Sequence, residues 1–403
     1  MSFRVQRDFF ADSATIRQNQ KIPLMESNPQ TGAGTIEFNT TLDTFYGLSN
    51  RIAVPLSTGV VTTIPVGVTP AGIAITPNGT KAYVANNNNY AAQYEPSTNC
   101  DSVSVISLST FTVIKTITDT SFNQPYTVTI SPDGTKAYVT NSNGTTITII
   151  NTATDTVMGT ITGFNGPSGM VINSTGTTGY VNNYGSPGGG GSGSGTTVSV
   201  VNLLSNTVTA TVTVDLAPAA LAISPDNKYV YTVNYKTGST DGTISVITTS
   251  NNTSIISAMT GLSGPFGIAL NPAGTVAYVT NFGSNNFSPF GTTLSVISLA
   301  TPTAPVITNT ITLGIQPSGV AVSPDGMTVY VSNYNTLYSD NTHSTGLTPG
   351  QGIVNLINAS TLQVLPINIP VDQSPSLIAI APNGKFGLVS NFTSNTVSVI
   401  AML

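Results

Sequence analysis

Tryptophan is absent from this chain, cysteine and histidine occur once each, and charge is scarce. Only 7% of the 403 residues are charged, 11 basic and 16 acidic, against about 25% in ordinary domains. Each shortage excludes something. One cysteine, Cys100, permits no internal disulfide and no Cys-x-x-Cys-His haem attachment. One histidine, His343, and thinly spread acids offer no converging set for a metal or a hydrolytic site. Scattered bases at a net charge of −5 leave no basic patch to neutralise phosphates, so nucleic acid is not expected as a partner. No apolar run approaches the roughly 18–20 residues of a membrane-spanning helix, so no membrane span is expected. The first residues, Met1 to Asp8, show no recognisable signal peptide. No catalytic, cofactor-binding or metal residue is therefore expected, and the chain reads as a non-enzyme.

What fills the chain is repetition. Seven times a turn, usually holding proline, leads into a Tyr- and Val-rich strand that ends in Asn. The clearest copy is Ser131-Pro132-Asp133-Gly134-Thr135-Lys136-Ala137-Tyr138-Val139-Thr140-Asn141. The aligned positions Tyr83, Tyr138, Tyr180, Tyr231, Tyr278, Tyr330 and Leu388 are spaced 55, 42, 51, 47, 52 and 58 residues apart. Such spacings suit four short strands and their loops, as in propeller blades. A small apolar run precedes each turn, and Pro, Asp, Asn and Gly suit its tight reversal. A third strand such as Val103-Ser104-Val105-Ile106 alternates apolar and polar residues, as a sheet with two unlike faces requires. The third copy decays to Ser174-Thr175-Gly176, and the fourth carries Asn227 where the others have Gly. Asp133, Asp226 and Asp325 occupy one position of the turn, so turn geometry explains them better than catalysis.

The phrase resembles the YVTN family of β-propeller repeats, found in surface-layer proteins and related to lactonase-like propellers. Tyr138 to Asn141 and Tyr278 to Asn281 match its core verbatim. The expected fold is all-β: a seven-bladed propeller over residues 58–403. The seventh unit stops after three strands, while Thr58 to Pro65 forms an orphan fourth strand. That N-terminal strand is expected to close the last blade.

Residues 1–57 do not repeat. They hold five basic and five acidic residues, so the propeller carries the whole net charge. Residues 1–33 read as an extended arm, and Gly34 to Gly47 as a β-hairpin turning near Asn39 to Asp43. The stretch is similar to a short β-module of phage and giant-virus fibre proteins, with Phe38, Asn39, Phe45 and Gly47 in place and the usual Trp missing. The resemblance implies a virion or cell-surface location, with residues 1–57 contacting other structural proteins of a particle or envelope. A surface-layer-like envelope protein and a lactonase-like enzyme are the alternatives.

Function is expected where the copies differ. Long segments at 87–102, 184–197, 235–243, 282–293 and 334–351 all follow the Asn-ending strand, hence lie on one face. They hold Tyr90, Tyr94, Phe282, Phe287, Phe290, Tyr334 and Tyr338 among Asn, Ser and Gly. Aromatics amid small polar residues suit a protein or glycan receptor. Gly188 to Gly195 lacks the Gly-Lys-Ser/Thr of a phosphate loop and reads as a linker-like insertion.

Overall fold

The computed structural model describes residues 35–39, 44–49, 52–55, 59–88, 101–185, 193–235, 242–258, 261–283, 290–334 and 351–403. The chain divides into two units, Met1–Ser57 and Thr58–Leu403. In the first, β1 (Thr35–Asn39), β2 (Thr44–Ser49) and β3 (Ile52–Pro55) pair antiparallel in that order. The expected hairpin is thus a three-stranded meander. Its third strand was missed because four residues, Ile52 to Pro55, are too short for a period to show.

The second unit is a seven-bladed β-propeller of four-stranded antiparallel sheets. Blades one to six span residues 70–117, 125–162, 167–213, 218–258, 265–312 and 317–373. The seventh takes three strands from residues 375–401, and β4 (Val60–Pro65) pairs with Thr396–Ala401 as its outermost strand. Ser390 closes the ring on the inner side by donating its hydroxyl to the Ala71 carbonyl, 2.6 Å away. Among the described residues no helix is long and apolar enough to cross a membrane.

Blades pack face to face, so second and third strands are covered on both sides. Their burial is nearly continuous, while fourth strands alternate exposed with half-buried positions. The two unlike faces of the third strand are therefore both covered. Its polar residues do not face solvent: Ser104, Thr148, Ser199, Ser245, Ser295 and Ser398 are buried. Each accepts a bond of 2.9–3.0 Å from Nδ2 of the Asn that ends the neighbouring strand, such as Asn86 to Ser104 or Asn281 to Ser295. The repeated Asn is therefore a buried clamp between strands two and three, and an unsatisfied amide there would cost about 1–3 kcal/mol.

Innermost strands approach so closely that some positions exclude any side chain. A Cβ on Gly267 would sit 2.4 Å from the Ser318 carbonyl oxygen of the next blade, and one on Gly319 would sit 2.5 Å from that of Ser376. Blade-to-blade bonds follow the same contacts: Thr280 donates to the Ser318 carbonyl (2.8 Å) and Ser332 to that of Ser376 (2.7 Å).

Candidate functional site

The loop-bearing face is built by one device used seven times. Every innermost strand begins with proline: Pro70, Pro125, Pro167, Pro218, Pro265, Pro317 and Pro375. The residue before each proline has φ between 48° and 56°, although five of them are not glycine. A left-handed residue ahead of proline is unfavourable, since proline biases its predecessor toward extended backbone. The neighbouring strand compensates. The residue just after each clamp Asn donates its N–H to the carbonyl of that left-handed residue, at 2.8–3.0 Å in all seven blades. The first two blades place Asn87 and Ser142 there. The next five place Tyr184, Tyr235, Phe282, Tyr334 and Phe392.

Those aromatic side chains meet across blades. Phe266, second residue of its innermost strand, joins them. Ring centroids lie 6.4 Å apart for Tyr235 and Phe266, 5.3 Å for Phe266 and Phe282, 6.0 Å for Phe282 and Tyr334, and 6.1 Å for Tyr334 and Phe392. Tilted and edge-on pairs of this kind add about 0.5–1.5 kcal/mol each beyond burial. Tyr235 also donates its hydroxyl to the Gly283 carbonyl of the next blade at 2.5 Å. Tyr235 and Phe282 are buried, while Phe266, Tyr334 and Phe392 keep half-exposed rings. The result is an aromatic arc over blades four to seven.

Tyr126 belongs to blade two, and Tyr184 to blade three beside the arc, where it packs against the cluster that holds Tyr235 and Phe282. Tyr126 retains accessible surface, yet loss of water pushes its phenol pKa well up, and the nearby Tyr184 adds to the shift. At the same strand position the other blades have Ala71, Ser168, Ala219, Phe266, Ser318 and Ser376. Five small residues and two aromatics thus share one level of the channel wall.

Among the described residues, the seven innermost strands contain no Asp, Glu, Lys, Arg or His. No group of His, Cys, Asp or Glu there is spaced to hold a metal. Asp155 is engaged across a blade boundary. It accepts from the Tyr83 hydroxyl and from Lys81 Nζ at 2.7 Å, tying blade one to blade two away from the channel. Burial, then the Asp155 bond and charge, raises the Tyr83 pKa far above its ordinary value. The face can stack against apolar or CH surfaces, and around its rings stand hydroxyls, amides and the partly buried carboxylates of Asp119, Asp215 and Asp372.

Of the residues expected at this face, Tyr90, Tyr94, Phe287 and Tyr338 lie outside the described residues, as do Cys100 and His343. Phe282 and Tyr334 belong to the arc. Phe282 and Phe290 were expected in a loop, but strand pairing continues past the clamp Asn281. Val276–Gly283 and Phe290–Ser298 are both strands, with Gly283 opposite Phe290 beyond a register shift. Sequence reasoning passed over Tyr184, Tyr235 and Phe392. Their signal was positional: each stands immediately after the repeated Asn.

No protein-family model and no curated protein matches the chain. The solved structure titled "Kuenenia stuttgartiensis Hydrazine Synthase" superposes with a TM-score of 0.68 at 18% identity, covering 88% of this chain and 99% of that one. At that identity the likeness concerns the fold alone, and it agrees with the ring described above: the chain carries a seven-bladed β-propeller.

Proposed function

We propose that this protein is a non-enzymatic structural or adhesive component of a virus particle or cell surface. Residues 1–57 join it to other structural proteins, and the loop-rich propeller face meets a protein or glycan partner. The observation that carries the reading is the aromatic arc of Tyr235, Phe266, Phe282, Tyr334 and Phe392, built onto the face that carries the longest loops. Rigid aromatic area at low entropic cost is what recognition surfaces use. The charge-free innermost strands support the same reading, since a lactonase-like enzyme would direct polar and charged groups into its channel. The resemblances to YVTN surface-layer repeats and to fibre modules point to where such a scaffold is displayed.

The test has two arms. Gold-labelled antibody against the native protein should decorate particles or envelopes, and label confined to the cell interior would overturn the location. The full chain with Phe282→Ala and Tyr334→Ala should lose about tenfold or more in attachment to those particles' or cells' binding partners, roughly 1.4 kcal/mol. Turnover of lactones by the full chain would replace this reading with the enzymatic one.

A further inference from the structure

Among the described residues, no strand pairs with the outer edge of any blade's fourth strand, so its outward N–H and C=O groups are open to another strand. In six blades that edge is interrupted. Register shifts fall at Val105/Ile106, Ile149/Ile150, Val200/Val201, Val296/Ile297, Asn355/Ile357 and Val399/Ile400. A bulge kinks the edge and increases its twist, which blocks a flat partner. The first blade adds Lys115 to this strand, and the sixth adds Pro366 and Pro370.

The fourth blade has none of these guards. Thr243–Thr248 pairs residue for residue with Thr253–Ala258, from Thr243 opposite Ala258 to Thr248 opposite Thr253, with no shift. The edge strand, Thr-Ser-Ile-Ile-Ser-Ala, carries no charge and no proline. Ile255 is 47% exposed. This exposed isoleucine lies mid-strand between uncharged Ser and Thr residues. Laid antiparallel on itself about an axis at Ile255, the strand sets Ile255 opposite Ile255 of the second copy and Thr253 opposite Ser257. A two-fold axis demands such self-complementarity, and an uncharged edge lets two copies of a net-negative chain meet there without like charges on the axis.

We propose that Thr253–Ala258 pairs antiparallel with the same strand of a second copy, joining two propellers rim to rim. The rim is convex, so neighbouring blades recede from the contact. The buried surface then falls well below the roughly 800 Å² per partner of a standard interface, and association is weak.

Sedimentation of the full chain from micromolar to near-millimolar concentration tests this. The average mass should rise from 41.4 kDa toward twice that value. Ile255→Lys should weaken self-association about tenfold or more. Met158→Lys, at a 56% exposed position on the bulged outer strand of blade two, should leave it unchanged. Hydrogen exchange on the unaltered chain should show protection of Thr253–Ala258 amides rising with concentration, independent of any variant's folding. A chain monomeric throughout, an equal effect of both lysines, or no concentration-dependent protection of this strand would overturn the proposal.

Discussion

The aspartates of the turn phrase act locally, and their bonding gives the protein an acid-sensitive feature. Asp133, Asp226 and Asp325 each accept from a serine hydroxyl two residues earlier: Ser131, Ser224 and Ser323. Each also accepts a backbone N–H two residues later, at 2.9–3.1 Å. The serine bonds first, then the N–H bonds, hold all three carboxyls below their ordinary pKa. Unfolded, such a group titrates near ~3.9. A depressed native pKa means that the stabilisation is complete above that value and is lost as pH falls through the native pKa. Asn78 already serves in the first blade, accepting from the Thr76 hydroxyl at 2.7 Å and from the Thr80 N–H at 3.1 Å. Replacing all three aspartates by asparagine should therefore leave the thermal midpoint at neutral pH nearly unchanged. Thermal scans across the acid range should show a smaller loss than in the parent protein. An undiminished loss would assign the acid sensitivity to other carboxylates.

Turns of adjacent blades also pack against one another, and this accounts for the copies that depart from the phrase. At six of the seven blade junctions the turn glycine, with positive φ, faces the turn proline of the preceding blade. A Cβ on Gly134 would lie 3.4 Å from Pro77 Cδ, and one on Gly326 would lie 3.1 Å from Pro272 Cδ. At the junction of blades three and four both partners change together, to Ser174 and Asn227. Asn227 Nδ2 donates to the Ser174 hydroxyl at 2.7 Å, and the Ser174 N–H, which a proline would lack, donates to Asn227 Oδ1 at 2.8 Å. Asn227 takes the left-handed φ of 59°, which asparagine tolerates better than most residues. Ser174→Pro with Asn227→Gly should therefore restore the common contact, while either change alone leaves a mismatched pair. A double-mutant cycle by denaturant unfolding should give a coupling of about 1 kcal/mol. Strictly additive changes would deny the compensation. Phe282 and Phe290 were misread at the same scale, because pairing beyond Asn281 rests on a bulge and on Gly283 rather than on any hydrophobic period.

Closure belongs to the molecule as a whole. β4 supplies the outer strand of the last blade and buries Ile64 to 3% exposure against Val397 and Val399. A chain beginning at Pro70 loses that strand and exposes the edge and apolar face of Thr396–Ala401. It should aggregate or melt well below the full chain, and a soluble truncation with an unchanged melting temperature would refute the role of β4. Ring order and closure were legible in the sequence, because a seven-fold phrase and a strand missing at one end and spare at the other follow from local pattern. Turn chemistry was legible for the same reason: Pro, Asp and Gly act within a few residues. The aromatic arc was only half legible. Phe282 and Tyr334 stood out by composition, but Phe266 sits 16 residues before Phe282, in a strand that reads as ordinary core. The burial of the third-strand hydroxyls was not legible, since alternation marks two different faces without saying whether solvent or another blade covers them. By itself the sequence determined what each residue does to its neighbours along the chain: seven blades, their turns, and a non-repeating start. Only the tertiary structure decided what lies across a blade boundary, namely the Ser174–Asn227 exchange and the meeting of aromatic side chains. The physical reason is distance along the chain: those partners are brought together by ring closure, and no local preference encodes them.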